Sequence, residues 1–140
     1  VVLRYFNVYG PREPLRGIYA PVIGIFKKQA SEGKPLTIVG DGLQRRDFTH
    51  VHDVVNANML AAFSSAEQIF DECVDKFDIF NIGAGKNYSV QEVADFFDAD
   101  KTYLPERPGE AQVTLADNSK ARLKLGWISE INLPEIIHSY

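Results

Sequence analysis

Gly40-Asp41-Gly42-Leu43-Gln44-Arg45-Arg46-Asp47-Phe48-Thr49-His50-Val51-His52-Asp53 is the stretch around which the chain is organised. The run before it, Leu36-Thr37-Ile38-Val39, is apolar and β-branched and reads as a strand. Gly-Asp-Gly accepts positive φ, which predicts that the chain reverses there. Gln44 to Val51 then reads as the second arm of a hairpin carrying Arg45 and Arg46. Asp53 precedes Val54 to Phe63 and predicts an acidic N-cap on a helix. The hairpin would hold a guanidinium beside a helix start, an arrangement that suits a phosphate. Strand alternation puts Arg45 and Arg46 on opposite faces, so only one of them should face a ligand.

Working outward, the bulk properties exclude several classes. A chain of 140 residues is one domain in size, or part of a larger protein, and its 45% hydrophobic content is enough for a core. A net charge of −4 argues against general nucleic-acid binding. No apolar run is long enough to span a membrane, and the N-terminal residues lack the pattern of a signal peptide. The single cysteine, Cys73, rules out an internal disulfide and fits the reducing cytoplasm. Val1 to Phe6 is a continuous apolar strand pattern that reads as buried, and it starts without Met. It is therefore expected that this chain is the C-terminal part of a longer protein.

Further along, Pro21 suits the first turn of a helix running to about Glu32 and ended by Gly33. Its apolar stripe is Val22, Ile23, Phe26 and Ala30, and Lys27, Lys28 and Lys34 read as a solvated face. Ser64 to Phe77 places Ile69, Phe70, Cys73, Val74 and Phe77 at helical spacing. Asp78 to Gly83 is another strand. Gly83-Ala84-Gly85-Lys86 is not a Walker loop, because Lys86 is followed by Asn87. Ser89-Val90-Gln91-Glu92 is a capping box opening a short helix with Val93, Phe96 and Phe97. Thr102-Tyr103-Leu104 reads as an edge strand, Arg107-Pro108-Gly109-Glu110 as a loop, Asp117 as the cap of a helix ending at Gly126, and Leu133 to His138 as a last helix. The pattern is mixed α/β, with helices, short strands and a hairpin rather than a complete parallel sheet.

Two cations placed on loop junctions can grip a diphosphate, and Arg46 and Arg107 are the natural pair. The alternatives are ion pairs of Arg46 with Asp47 or Asp53, and of Arg107 with Glu106 or Glu110. Asn7 ends the first strand, where ligands of parallel sheets bind, or else bonds its own backbone. His50 and His52 alternate along the expected strand, but His138, the remaining histidine, is remote, so no metal is expected.

Three motifs in order carry a family resemblance. Gly40-Asp41-Gly42 through Arg46-Asp47-Phe48 to Val51 and Asp53 resembles the G-D-G-x-x-x-R-D-[FY]-x-x-V-x-D signature of extended short-chain dehydrogenases/reductases, the NAD-dependent nucleotide-sugar epimerases and dehydratases. Arg4-Tyr5-Phe6-Asn7-Val8-Tyr9-Gly10-Pro11-Arg12 is similar to their R-x-x-N-x-Y-G-P-R element. Arg107-Pro108-Gly109-Glu110, Ala116 to Ala121 and Leu125-Gly126-Trp127 are similar to their C-terminal block.

The resemblance implies the substrate-binding, C-terminal region of an extended Rossmann-type enzyme over residues 1–140, with the NAD-binding Rossmann domain elsewhere. It implies that Arg46, Arg107 and Asn7 meet the diphosphate of a UDP- or dTDP-sugar and that Glu110 reaches the ribose. Val22, Phe26 and Thr37 would cover the base, and Tyr5 and Phe6 would approach the nicotinamide of NAD. Similar enzymes are homodimers and often carry a longer helix near Asp98. The family's Tyr-x-x-x-Lys pair is not in this sequence, since none of the six tyrosines has Lys four positions later. No residue of this chain is therefore expected to be catalytic. The activity implied is inversion at C4 of a UDP-hexose through a 4-keto sugar. Alternatives are a 4,6-dehydratase or decarboxylase of the same family, or a stand-alone nucleotide-sugar-binding module.

Overall fold

The computed structural model describes residues 1–15, 17, 20–64 and 78–137. Four two-stranded sheets and five helices appear among them. β1 (Val2–Tyr5) pairs in parallel with β6 (Ile79–Ile82), and β2 (Val8–Tyr9) with β5 (Thr49–His50). β3 (Leu36–Val39) pairs in parallel with β8 (Lys101–Leu104), and β4 (Arg45–Asp47) is antiparallel to β7 (Asn87–Ser89). The helices are α1 (Val22–Ser31), α2 (Val51–Phe63), α3 (Val90–Asp95), α4 (Ser119–Leu125) and α5 (Leu133–Ile137).

Two cores result. The first collects Ile23 and Phe26 of α1, Leu36 and Ile38 of β3, Phe48, Val93 and Ala94 of α3, and Leu133 and Ile137 of α5. The spacing of α1 explains its share: positions 23 and 26 lie on one face, and Phe26 meets the edge of Phe97 with ring centroids 6.0 Å apart. Gly33, at φ +64°, follows the helix end as a left-handed stop. The Ser89–Glu92 capping box opens α3 with both reciprocal hydrogen bonds, 3.0 and 2.7 Å. The second core collects Val54 and Ala57 of α2, Phe80 and Ile82 of β6, Ala121 and Leu125 of α4, and Trp127.

The structure corrects several readings of the central stretch. The two arms around Gly40-Asp41-Gly42 do not form a hairpin. β8 occupies the pairing edge of β3, with Leu36 opposite Lys101 and Val39 opposite Leu104. The turn, with Gly40 at φ +64° and Gly42 at φ +74°, carries the chain to α3 instead, where Gly42 O accepts from Gln91 N and Gln44 O from Val90 N. The second arm is also two strands, β4 and β5, interrupted at Phe48.

Asp53 is not the N-cap of α2. That position belongs to His50, whose Nδ1 accepts from His52 N at 3.2 Å. Consequently the two histidines do not share a strand face: His52 is on the helix, and the rings meet edge to face 4.8 Å apart. Asp53 instead ties the second core together. Its Oδ2 accepts from Ser129 Oγ at 2.8 Å and Ile131 N at 3.2 Å, while its carbonyl accepts from Trp127 Nε1 at 2.9 Å. β1 is likewise more exposed than a buried strand, because among the described residues one neighbouring strand and one packed face cover it. The helix expected over Ser64 to Phe77 and the end of the last helix at His138 lie outside the described residues apart from Ser64.

Candidate functional site

A cavity of about 480 Å³ opens between the start of α1, the β3–β8 pair and β4, within the usual size range of small-molecule sites. Its walls are mostly apolar: Val8, Ala20, Pro21, Val22, Ile25, Val39, Phe48, Val90 and Leu104. Its polar lining is Asn7, Thr37, Gln44, Arg46, Arg107 and Glu110.

β4 gives three consecutive residues three different surroundings. Arg45 turns to Asn87 and Glu92: Nε donates to Asn87 Oδ1 at 2.9 Å, Nη2 to Asn87 O at 3.0 Å, and Nη1 lies 3.0 Å from Glu92 Oε2. The Ser89 N–H holds the Glu92 carboxyl below its ordinary pKa, and Arg45 adds to this. Arg46 turns the other way, into the cavity, with only 13% of its side chain exposed. It donates from Nη1 to Arg45 O at 2.9 Å and from Nη2 to Glu110 Oε1 at 3.1 Å. Asp47 is fully buried, and its carboxylate accepts from Ala84 N at 2.7 Å and from Gly85 N and Ala116 N at 3.0 Å. The glycine loop after β6 thus holds a carboxylate of the protein itself. It is closely fitted: a Cβ on Gly83 would stand 2.3 Å from that of Ala116.

Asn7 follows β1 at a left-handed φ of +26°. It does not bond its own backbone. Its Nδ2 donates to Asp47 O at 3.1 Å and Thr114 Oγ1 at 3.2 Å, so it joins the end of β1 to β4 across the cavity wall. Thr37 lines the cavity from β3 while Gln29 of α1 holds it, N–H to Oε1 at 3.1 Å and Oγ1 from Nε2 at 2.8 Å. Arg107 and Glu110 come from an exposed segment that returns to pair with β4, Arg45 N to Gln112 O at 2.8 Å and Thr114 N to Arg45 O at 3.0 Å. Arg107 has no ion-pair partner among the described residues.

Of the residues singled out from the sequence, Asn7, Val22, Thr37, Arg46, Arg107 and Glu110 line this one cavity. Phe26 does not: its ring is fully buried in the first core, and Ile25, on the adjoining face of α1, takes the place at the wall. Tyr5 and Phe6 lie at the carboxyl end of β1, away from the cavity lining, where Tyr5 Oη donates to Asn58 Oδ1 at 2.9 Å. Arg46 pairs with neither Asp47 nor Asp53 but with Glu110.

The sequence reading passed over Val39, Gln44 and Phe48. Period-two alternation was the signal for two of them, since Val39 follows Thr37 and Phe48 follows Arg46 by two residues. Gln44 carried no pattern. It is placed by a hydrogen bond from Nε2 to Val39 O at 3.0 Å. Among the described residues no cluster of three or more His, Cys, Asp or Glu side chains is arranged to hold a metal, and no helix is long and apolar enough to cross a membrane.

With this geometry in place, comparison with known proteins defines the family. The NAD dependent epimerase/dehydratase family matches residues 1–83, and the chain belongs to it. Within that family it is similar to UDP-glucose 4-epimerases. It is 39% identical to a putative UDP-glucose 4-epimerase of Methanocaldococcus jannaschii, over 96% of this chain and 42% of that protein. It is 44% identical to a UDP-N-acetyl-alpha-D-glucosaminuronate decarboxylase of Bacillus cytotoxicus, over 66% of this chain and 26% of that protein. Among solved structures, UDP-glucose 4-epimerase from Thermotoga maritima with UDP-glucose superposes with a TM-score of 0.84 at 35% identity, over 97% of this chain and 42% of that one. The chain therefore spans about two fifths of the length of the first of these relatives.

Proposed function

We propose that residues 1–140 are the substrate-binding region of an NAD-dependent UDP-sugar 4-epimerase that inverts C4 of a UDP-hexose through a 4-keto sugar. The observation that carries this reading is the convergence of Arg46 and Arg107, from segments far apart in sequence, on one apolar-walled cavity. Two guanidinium groups beside an apolar slot match a diphosphate joined to a flat base. In this reading Arg46 and Arg107 grip the diphosphate and Asn7 meets it from beside β4. Glu110 takes the ribose hydroxyls, and Val22, Ile25, Thr37 and Val39 enclose the base. The family membership and the UDP-glucose bound by the Thermotoga maritima relative support it.

NAD, when bound, would supply the hydride acceptor and donor at the sugar. The residues here that fit a place beside it are Tyr5 and Phe6, because they stand at the carboxyl end of the parallel β1–β6 pair. No dinucleotide glycine loop and no Tyr-x-x-x-Lys occurs in this sequence. We therefore assign the cofactor's pyrophosphate and the proton transfer to an N-terminal Rossmann domain of the same protein, acting in the cytoplasm as a homodimer.

A decarboxylase of the same family is the second reading, favoured by the 44% identity to the Bacillus cytotoxicus enzyme. The test is calorimetric titration of the intact protein with UDP-glucose, UDP-glucuronate and dTDP-glucose, followed by an assay of C4 inversion and of carbon dioxide release. Arg46→Ala or Arg107→Ala should weaken binding of the preferred UDP-sugar by about 2–4 kcal/mol, since each removes a charged partner from a desolvated diphosphate. Unchanged affinity in both variants would remove the site.

A further inference from the structure

We propose that Glu110 is a stand-in anion for the ligand. Its carboxylate pairs with the Arg46 guanidinium on the cavity wall, must leave when a diphosphate arrives, and then serves the ribose. Binding of the two halves of a nucleoside diphosphate is thereby made interdependent. The inference rests on the reading of the cavity as a nucleoside-diphosphate site.

Three observations lead to it. First, the pair stands on the cavity wall: Arg46 Nη2 donates to Glu110 Oε1 at 3.1 Å, and both residues line the space. Second, this bond is what ties down the segment that carries it. The segment is anchored at one end where Gly40 N donates to Leu104 O, and at the other where Arg45 N donates to Gln112 O. Between these anchors, residues 105–111 make one hydrogen bond to another described residue, the bond from Arg46 to Glu110. Gly109, at φ +79° with open space around it, lets the strap change course there. Third, the wall is unevenly paired. Arg46, largely buried, is matched by Glu110, whereas Arg107 on the same strap has no ion-pair partner among the described residues.

A diphosphate competes with Glu110 for Arg46 more strongly than a carboxylate can hold it, because it brings more charge and also engages Arg107. A ligand without a phosphate cannot make that exchange. It meets a carboxylate already committed to Arg46. A diphosphate without a ribose makes the exchange but leaves the carboxylate displaced into solvent. Each half therefore opens the site for the other. The apparent affinity of either half alone is reduced by the fraction of molecules in which the pair is closed. Coupling of this kind is reciprocal between the two ligands.

The test measures pyrophosphate binding to the intact protein with and without saturating 5′-deoxyuridine, which has the ribose diol but lacks the 5′-oxygen that pyrophosphate itself supplies. In the wild type, 5′-deoxyuridine should tighten pyrophosphate at least threefold, and pyrophosphate should tighten 5′-deoxyuridine by the same factor. Glu110→Gln should bind pyrophosphate alone more tightly than the wild type and show no coupling. Glu110→Ala, which removes the side chain from an exposed strap, should do the same. Independent binding of the two ligands in the wild type would overturn the exchange, even if Glu110→Gln raised pyrophosphate affinity through charge alone. UDP that binds the wild type while the halves remain uncoupled sinks the exchange and leaves the site standing. UDP that does not bind at all sinks both.

Discussion

The two cores of this chain are built from the same residue types yet are closed to different degrees. In the cavity-bearing core, Ile23, Phe26, Leu36 and Ile38 are fully buried, and helices cover the strand that supports the site. The second core buries Phe80, Ile82 and Trp127 completely, but its outer side leaves Val2, Tyr5, Val55, Met59 and Phe63 exposed. β3 and β1 make the contrast sharp. Both are short apolar strands with one parallel partner among the described residues, but β3 alternates buried and half-buried residues, whereas β1 has only Leu3 partly covered. An apolar run thus specifies a strand and its facing, while burial depends on which neighbours the fold supplies.

Asp47 joins the two cores. It belongs to β4 beside the cavity, and its carboxylate is held by the Ala84 and Gly85 N–H groups after β6 and by Ala116 N. Removing it would leave three backbone donors without their acceptor in a buried place. Asp47→Ala is expected to have the largest effect, a loss of more than about 3 kcal/mol. Trp127, the single tryptophan, reports on the second core alone, while far-ultraviolet circular dichroism reports on both. In urea the wild type should melt with both signals together, and Asp47→Ala should separate them. Coincident signals with near-wild-type stability in the variant would show that the cores are joined by something else.

Asp53 tests the second core from within. As a simple helix cap its loss would cost about 1 kcal/mol. Its carboxylate is instead a buried acceptor for Ser129 Oγ and Ile131 N, so Asp53→Ala should cost about 2–3 kcal/mol. Asp53→Asn, which keeps an acceptor oxygen, should recover part of that. With the Asp47 links intact, the Trp127 and circular-dichroism transitions should fall together. A cost of only about 1 kcal/mol in Asp53→Ala, equal to a surface cap, would return Asp53 to the role its sequence position suggests.

What the sequence made legible was local. The capping box at Ser89 and Glu92, the left-handed stops at Gly33 and Gly126 and the apolar face of α1 depend on residues within a turn or two of one another, and the structure contains them. What it did not reveal was pairing across distance. Gly40-Asp41-Gly42 has the chemistry of a hairpin turn, but the partner of β3 lies 65 residues on, Leu36 opposite Lys101, and nothing in the turn encodes it. The same holds for the site. Arg46 could be assigned a face by alternation, but the Glu110 that meets it, and the Asp47 carboxylate that fixes its strand, become visible only when distant segments meet. Phe26 shows the cost of reading a helix one position out, since a neighbour on α1 points about 100° away and Ile25 reaches the wall instead.

The smallest expected effect concerns Glu13, a buried acid against α1. Glu13 lies across α1 at Gly24, where an added Cβ would stand 3.1 Å from its Cγ and Cδ. That contact explains a glycine in a helix interior, which by itself costs about 0.5–1 kcal/mol against alanine. The Glu13 side chain is only 6% exposed, and burial raises its pKa above the ordinary 4.5 even though Lys27 at 3.5 Å and the Gly10 backbone pull it down. A carboxyl with a raised pKa in the folded state stabilises most when protonated, below its ordinary value, and that contribution is lost as pH rises through the folded-state pKa. Glu13→Gln should therefore be more stable than the wild type at pH 7 by less than about 1 kcal/mol. The advantage should shrink to nothing as pH falls below 4.5. Chemical denaturation across that range decides it. A variant less stable than the wild type at pH 7 would mean that the Lys27 ion pair outweighs burial, and that the first core, like the second, is held in part by a charge its sequence does not advertise.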